Sequence, residues 1–576
     1  MKFFHVYNDK YFAGLEKNNL INEDTGFKIQ HVFSLEEDMK FNRYAAKGTK
    51  LYHYIKENRF PFYVDRIAGG VTYHEYEFDK SLIEEYRSLL DGWFLGFQQH
   101  ETSGNRRLDW QRVYERMKGE AGPYDVEELK KRSVRSYAVT PDGKTLYGFS
   151  QGSPEDYAAF PYPATFEALM ADYRRLFRQR MEATDGAILP CDSFQLLTHL
   201  QNELGIQNFM PEVGSQIPHM RMAVALARGT ALAEGKKWGV YYETWRSIKT
   251  LGATMPCFNK EPGNEWYLTQ ETHRDDFTTY GPNGGSSRLL QKRIFYYALM
   301  SGTMFFGEEW GLNCSYLEMH GDFPLSPYGL VKKEVIDFAR DHRKVKAKIP
   351  FAVVLPKEFP FLQLSKVISP VGEWKGALLG RDLSESEKEM FGRVEDVLKL
   401  IFQREAANVY GNEGHVLQNS RFGDLFDLVY EDAPKHAFSK YDLLIDPSKD
   451  SRIAKENPSL PFVCYTVGKA EELARVIEEK AKEALPLTCD RFLWLLSEDE
   501  NGSYLSVFNN EGNERNVEWG DRALHEADGV VKISLKEKTA LSLLRASSPD
   551  VRLERADEKN YSLFLPANDL AILKLN

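Results

Sequence analysis

Residues 238–245 read Trp-Gly-Val-Tyr-Tyr-Glu-Thr-Trp and residues 303–310 read Thr-Met-Phe-Phe-Gly-Glu-Glu-Trp. In both, an apolar run of strand length ends on a carboxylate, with a tryptophan just beyond it. The pattern recurs toward the N-terminus. Pro61-Phe62-Tyr63-Val64 leads into Asp65 and Arg66, and Trp93–Gln99 into His100 and Glu101. Ala187–Cys191 ends on Asp192, and Asn208-Phe209-Met210 runs into Pro211 and Glu212. With Phe3–Tyr7 at the start, the chain presents strands at Phe3–Tyr7, Pro61–Arg66, Trp93–Phe97, Ala187–Cys191, Asn208–Met210, Trp238–Tyr242 and Thr303–Phe306, and a weak eighth signal near Cys314–Leu317. Helical stretches fall between them at Ala164–Met181, Pro218–Glu234 and Ser286–Met300. Strands alternating with helices predict an α/β fold with parallel strands, and eight of them a (β/α)8 TIM-type barrel.

The barrel is expected to occupy residues 1–348, closed by a helix at Tyr328–His342. Tyr137–Phe149, turning at Pro141-Asp142-Gly143, reads as a hairpin within an insertion over the barrel mouth. Phe351–Leu355, a helix near Ser384–Gln403, Tyr441–Ile445, Phe462–Tyr465 and a helix at Ala470–Ala484 predict a flavodoxin-like α/β domain over residues 349–486. Its first strand leads into Pro356-Lys357-Glu358 instead of a glycine-rich phosphate loop, which argues against a nucleotide there. Short alternating runs at Tyr504–Phe508, Val530–Leu535, Thr539–Leu544 and Ala571–Leu575 predict a small C-terminal β-sandwich over residues 487–576.

Composition narrows the partners. A net charge of −11 is the wrong sign for nucleic acid or an anionic membrane. No apolar run approaches the roughly 18 residues of a membrane span. The opening residues look like a first strand and lack the apolar core of a signal peptide, so a cytoplasmic location is expected. Five scattered cysteines without CxxC spacing fit a reducing compartment and imply no structural metal or disulfide framework. Aromatics at 13% fit either sugar-stacking platforms or a large β-containing core.

Active-site residues of such barrels sit at the C-terminal ends of the strands. One acidic strand end is commonly a helix cap; six around one rim suggest chemistry. Paired carboxylates flanked by aromatic rings suit glycosidic bond cleavage, in which one carboxyl protonates the leaving oxygen and another attacks the anomeric carbon or activates water. Glu212 is the expected acid/base and Glu309 the expected nucleophile, with Glu308 and Glu243 as substitutes. Alternation separates the adjacent pair: Glu309 shares parity with Gly307, whose missing side chain leaves room in the mouth. Asp65, Arg66, His100, Glu101, Asp192, Tyr242, Trp245 and Trp310 are expected to bind sugar. The polar stretch Gln270–Asp276 reads as either a solvated loop or a lid bringing His273 or Arg274 to the substrate.

The order barrel, flavodoxin-like domain, β-sandwich resembles glycoside hydrolase family 42 of the clan A barrels. That clan carries its nucleophile Glu after the seventh strand, where the sequence count puts Glu308 and Glu309. Its acid/base Glu follows the fourth, commonly as Asn-Glu, whereas here the fourth ends in Asp192 and Glu212 follows the fifth. The resemblance implies an exo-acting, retaining hydrolase of small glycosides or oligosaccharides, needing no cofactor or metal, assembled as a dimer or trimer. Two alternatives stand beside it. One is a non-catalytic carbohydrate-binding protein on a barrel scaffold. The other is a metal-dependent barrel hydrolase, disfavoured because no closely spaced histidine pair ends a strand. No GxSxG elbow supports a serine hydrolase.

Overall fold

The computed structural model describes residues 1–7, 9, 12–29, 45–65, 79–100, 138–139, 145–146, 171, 174–175, 177–178, 181–182, 184–192, 198–214, 220–243, 246–248, 252–254, 288–309, 315–317, 321–357, 384–403, 417–449, 451–511 and 528–576. Eight strands close into a barrel: β1 (Lys2–Tyr7), β2 (Thr25–Ile29), β3 (Phe62–Val64), β4 (Phe94–His100), β5 (Ile188–Asp192), β6 (Asn208–Gly214), β7 (Lys237–Glu243) and β8 (Phe305–Glu308). Each lies parallel to its sequence neighbours, and β8 returns to β1. This is the expected TIM-type architecture.

Alternation builds the barrel wall. Phe3, Phe27, Phe62, Phe97, Val240, Tyr242 and Phe306 face outward into a core shared with the helices. Phe4, Tyr63, Leu95, Leu189, Cys191, Met210, Tyr241 and Phe305 face inward and fill the barrel as a separate apolar plug. The surrounding helices include α1 (Phe12–Lys17), α2 (Lys50–Asn58), α3 (Lys80–Leu90), α4 (Thr198–Glu203), α5 (Met220–Glu234), α6 (Arg288–Met300) and α7 (Pro327–Asp341). Side chains of Thr49, Asp79 and Ser326 cap α2, α3 and α7 by accepting backbone N–H bonds.

The strand count differs from the sequence reading. Of the expected strand at Cys314–Leu317, the described residues 315–317 form none; Tyr316 makes an isolated antiparallel bridge to Leu325. The missing barrel strand is β2. Its inward positions are Gly26, where an added Cβ would lie 2.7 Å from the Phe4 ring, and Lys28, so only Phe27 and Ile29 are apolar and the strand lacks the apolar run that marked the others. Every strand after the first therefore advances by one.

The second region holds β9 (Phe351–Leu355), β10 (Phe426–Tyr430), β11 (Leu443–Asp446) and β12 (Phe462–Cys464), all parallel in the order β10-β9-β11-β12. That is flavodoxin-like strand order. Helices α8 (Glu385–Phe402) and α9 (Ala470–Ala484) accompany it, α8 opening with a capping box between Ser384 and Glu387. The third region has two antiparallel sheets. One contains Leu493–Asp499, Gly502–Phe508, Leu570–Leu575 and Leu541–Ala546, with Lys346–Ala347 added at its edge. The other contains Leu487–Cys489, Gly529–Leu535, Asn560–Leu565 and Arg552–Arg555. The hairpin expected at Tyr137–Phe149 is present as Ala138–Val139 paired antiparallel with Thr145–Leu146.

Helix α5 explains how the regions hold together. Val224, Ala227 and Ala231 belong to the barrel core, while Met222, Ala225 and Leu226 pack with the central sheet. Gly229 permits this sandwich, since a Cβ there would stand 2.3 Å from the Leu428 carbonyl. Next to it the buried Arg228 guanidinium bonds Asp427 at 2.7 Å, Asp424 at 3.3 Å and the Phe426 carbonyl at 3.2 Å. Burial alone disfavours the Arg228 charge, but Asp427 and Asp424 outweigh that and push its pKa up. Among the described residues, no helix is long and apolar enough to cross a membrane.

Candidate active site

Above the apolar plug the inward positions turn polar. Lys28 of β2, Asp65 after β3, Gln98 of β4, Glu212 of β6 and Glu243 of β7 are all buried, at 3% exposure or less. Asp65, Glu212 and Glu243 share inward parity with plug residues of their own strands, and Lys28 and Gln98 pair in register with the plug residues Tyr63 and Leu189, so all five face the barrel interior toward its C-terminal end. Register fixes the heights: Glu212 stands opposite Tyr241, and Glu243 opposite Gly214. Glu212 is therefore one strand over from Glu243 and one pleat deeper, an expected Cα separation of about 8 Å from strand spacing and rise. Gly214 makes room, because a Cβ there would be 2.4 Å from the Glu243 Cβ.

Lys28 organises the floor of this layer. Its ammonium donates to the Tyr241 hydroxyl at 2.9 Å and to the carbonyls of Glu308 at 2.7 Å and Glu309 at 2.9 Å, and it pairs with Asp65 at 3.2 Å. A buried ammonium requires such saturation. Among the described residues, Asp65, Glu212, Glu243 and Glu309 are the buried carboxylates at this end of the barrel and Lys28 the buried ammonium.

Glu308 and Glu309 part company at the end of β8. The Glu308 carboxylate points to the outer wall, where the Lys332 ammonium of α7 ion-pairs with it and the Tyr328 hydroxyl donates to it at 2.6 Å. Lys332 also donates to the Ser315 hydroxyl at 3.2 Å. Glu309 carries the ladder one residue past β8, its N–H donating to the Tyr242 carbonyl at 2.9 Å, which places it beside Glu243 with inward parity. The room expected beside Gly307 is taken: a Cβ there would lie 2.4 Å from the Tyr63 hydroxyl. On the outer wall, near Lys332, His5 is fully buried with its Nε2 2.8 Å from the Leu20 carbonyl. Burial first, and the Lys332 charge second, push its imidazole well below the usual histidine range.

The structure thus brings Asp65, Glu212, Glu243 and the backbone of Glu309 to one inner layer and sends Glu308 to the outer wall. Tyr242, expected to touch sugar, packs outward against Phe295, Phe306 and Tyr328. His100 and Asp192 end strands β4 and β5, but their side chains lie outside the described residues, as do Arg66, Glu101, Trp245, His273, Arg274 and Trp310. Lys28, Gln98 and Tyr241 were missed by sequence reasoning. The parity of Tyr241 with Glu243 was the available signal for one; Lys28 had none once β2 was overlooked. Among the described residues no group of three or more His, Cys, Asp or Glu is arranged to hold a metal ion.

The class defined by the fold is a TIM-type α/β barrel followed by a flavodoxin-like sheet and paired antiparallel sheets. No protein-family model matches the chain, and no curated protein matches it. Among solved structures it is similar to alpha-L-fucosidase isoenzyme 2 from Paenibacillus thiaminolyticus, at 9% identity over 100% of this chain and 99% of that one, with a TM-score of 0.43. It is also similar to an alpha-amylase from H.orenii, at 10% identity, 100% and 99% coverage and a TM-score of 0.33. A Nostoc punctiforme debranching enzyme follows, at 10% identity, 100% and 97% coverage and a TM-score of 0.20. Likenesses this distant assign the chain neither a family nor an activity.

Proposed function

We propose that the chain is a glycoside hydrolase acting through inward carboxylates at the C-terminal end of its barrel, with Glu243 as nucleophile and Glu212 as acid/base. The observation that carries this reading is the buried layer of Asp65, Glu212 and Glu243 around Lys28. An oxocarbenium-like transition state gains from nearby carboxylates, and two of them on neighbouring strands would supply both proton donor and nucleophile. Glu243 displaces Glu309 for two reasons. It lies within a barrel strand, its side chain packed directly against Gly214. The added strand β2 also moves Glu243 to the end of the seventh strand, the position that the clan A resemblance reserves for the nucleophile.

The same recount moves Glu101 to the end of the fourth strand, where that clan has its acid. Azide rescue separates it from Glu212, since a small anion restores turnover when the acid/base carboxyl is removed and an activated leaving group is used. The test is a panel of nitrophenyl glycosides with the wild type and the Glu243→Gln, Glu212→Ala, Glu101→Ala and Glu309→Ala variants. Cleavage of one sugar, abolished in Glu243→Gln and azide-rescued in Glu212→Ala, is the expected result. Full activity of folded Glu243→Gln sinks the assignment. Rescue in Glu101→Ala alone transfers the acid role to that residue.

A further inference from the structure

The barrel has a second opening, at the end away from the carboxylates. There the N-terminal ends of β1 and β8 and residues 343–347, which lead from α7 into the antiparallel sheet, enclose a cavity of about 720 Å³. Its walls are apolar, with Leu232, Trp238, Leu299 and Met304 facing it. This is the size and character of a pocket for a small organic ligand.

Polar groups interrupt those walls: Arg228, whose guanidinium is held by Asp424 and Asp427, and two hydroxyls. Ser301 is 1% exposed and Thr303 2%, and neither hydroxyl has a hydrogen-bond partner among the described residues. Buried hydroxyls without partners are costly, so their place on a cavity wall provides bonding positions for whatever fills it. The charge at the mouth runs against that of the chain. Lys2, Lys344 and Lys346 line the cavity, and neither Lys344 nor Lys346 makes an ion pair among the described residues. The acidic groups present, Glu23 and Asp24, are engaged by Arg343, whose Nε stands 3.0 Å from Asp24. Lys344 is held in the left-handed region at φ 55°, which fixes the turn at the mouth. The Lys2 ammonium lies 5.1 Å from the centre of the Trp93 ring, and burial lowers its pKa, so it gains from an added anion.

We propose that this cavity binds an amphipathic organic anion, with its apolar body against Leu232, Trp238 and Leu299 and its carboxylate among the mouth lysines. A fatty acid of medium length and an aryl carboxylate share that chemistry. Because Lys346–Ala347 is also the edge strand paired with Leu493–Asp499, the bound anion braces the barrel floor against the C-terminal sheet. The site is separate from the carboxylate layer and stands whether or not that layer cleaves sugars.

The test is calorimetric titration of the full chain with decanoate and with naphthoate, using decanol as the neutral comparison, alongside thermal melting. Saturable one-site binding of at least one anion is expected, with a rise in melting temperature and affinity at least about tenfold above decanol, the scale of a charge-assisted bond. Reversing both exposed lysines (Lys344→Glu with Lys346→Glu) should weaken the anion about tenfold or more. Leu232→Trp, at a position 47% exposed, should fill the cavity and abolish binding while the fold persists. Glu243→Gln should bind the anion as the wild type does. The proposal is overturned if neither anion binds saturably, if decanol binds as well, or if binding survives both the lysine reversal and Leu232→Trp.

Discussion

Strand β8 separates two buried lysines that do opposite things. Lys332, outside the barrel wall, meets the Glu308 carboxylate one to one, with Tyr328 and Ser315 completing the bonds. Lys28, inside, bonds the backbone of the same strand end and pairs with Asp65, but Glu212 and Glu243 share its layer. The outer pair is balanced and closed, as a structural ion pair must be to survive burial. Among the described residues the inner group sets several carboxylates near a single lysine, the kind of arrangement that the proposed chemistry on a developing cation would use. Equal burial, then, does not by itself assign a role.

The largest effect expected from that contrast is on the inside. Glu243→Gln keeps shape and volume and should cut turnover by about three orders of magnitude or more. The melting temperature should hardly change. A matching loss of stability would mean that the inner layer is structural too, and the comparison would fail.

On the outside the effect should be reversed in kind. Glu308→Gln leaves the Lys332 ammonium buried without its counter-charge and should cost about 3–5 kcal/mol in denaturant unfolding. The folded fraction should keep its activity per molecule. Replacing both partners, Glu308→Leu with Lys332→Met, should recover most of the loss, because the desolvation cost disappears along with the pair. If the double variant is as unstable as the single one, the cost is packing and not charge.

The wall around that outer pair also predicts a pH dependence. Burial, then the neighbouring Lys332 charge, hold His5 neutral in the folded chain well below its ordinary pKa of 6.5. Below that value the unfolded chain takes up a proton that the folded chain refuses, so stability falls as pH drops from 6.5 toward the depressed folded value. His5→Gln keeps a donor for the Leu20 carbonyl and should flatten this part of the stability–pH curve. An unchanged slope would assign the acid sensitivity to other groups.

The legibility of the sequence followed the same division between apolar and charged interiors. Strands such as Phe351–Leu355 and the helix Ala470–Ala484 were readable at their observed bounds because their periodicity is apolar and their partners are local in pattern. Strand β2 was unreadable because its inward residues are a glycine under Phe4 and a lysine whose acceptors come from strands β7 and β8. Losing it shifted the strand count by one, which put Glu308 and Glu309, and not Glu243, after the seventh strand. Strand β10, Phe426–Tyr430, was missed for a related reason: its Asp427 is buried, and the partners that make that tolerable, Arg228 and Tyr441, lie on other elements. Acidic strand ends were legible as a set, whereas the split between Glu308 and Glu309 depended on Lys332 and Tyr328, which lie on a later helix.

The smallest effect is expected from a third Lys–Glu–Tyr cluster, which has the chemistry of the outer wall without its burial. Between α2 and α3, Lys56 donates to Glu85 at 2.8 Å, Tyr52 donates to the same oxygen at 2.7 Å, and Lys56 also reaches the Tyr52 hydroxyl at 3.1 Å. Hydrogen bonds from Lys56 and then Tyr52 hold the Glu85 carboxyl below its ordinary value, so its contribution is present above that value and fades as pH falls. Water and salt screen the cluster, and the long side chains lose entropy to hold it together. Glu85→Gln should therefore move the melting temperature by no more than about a degree or two, and the difference should vanish in high salt. A drop as large as that of Glu308→Gln would show that bonding pattern outweighs burial in fixing the value of such clusters. The distinction drawn between the two sides of β8 would then need another cause.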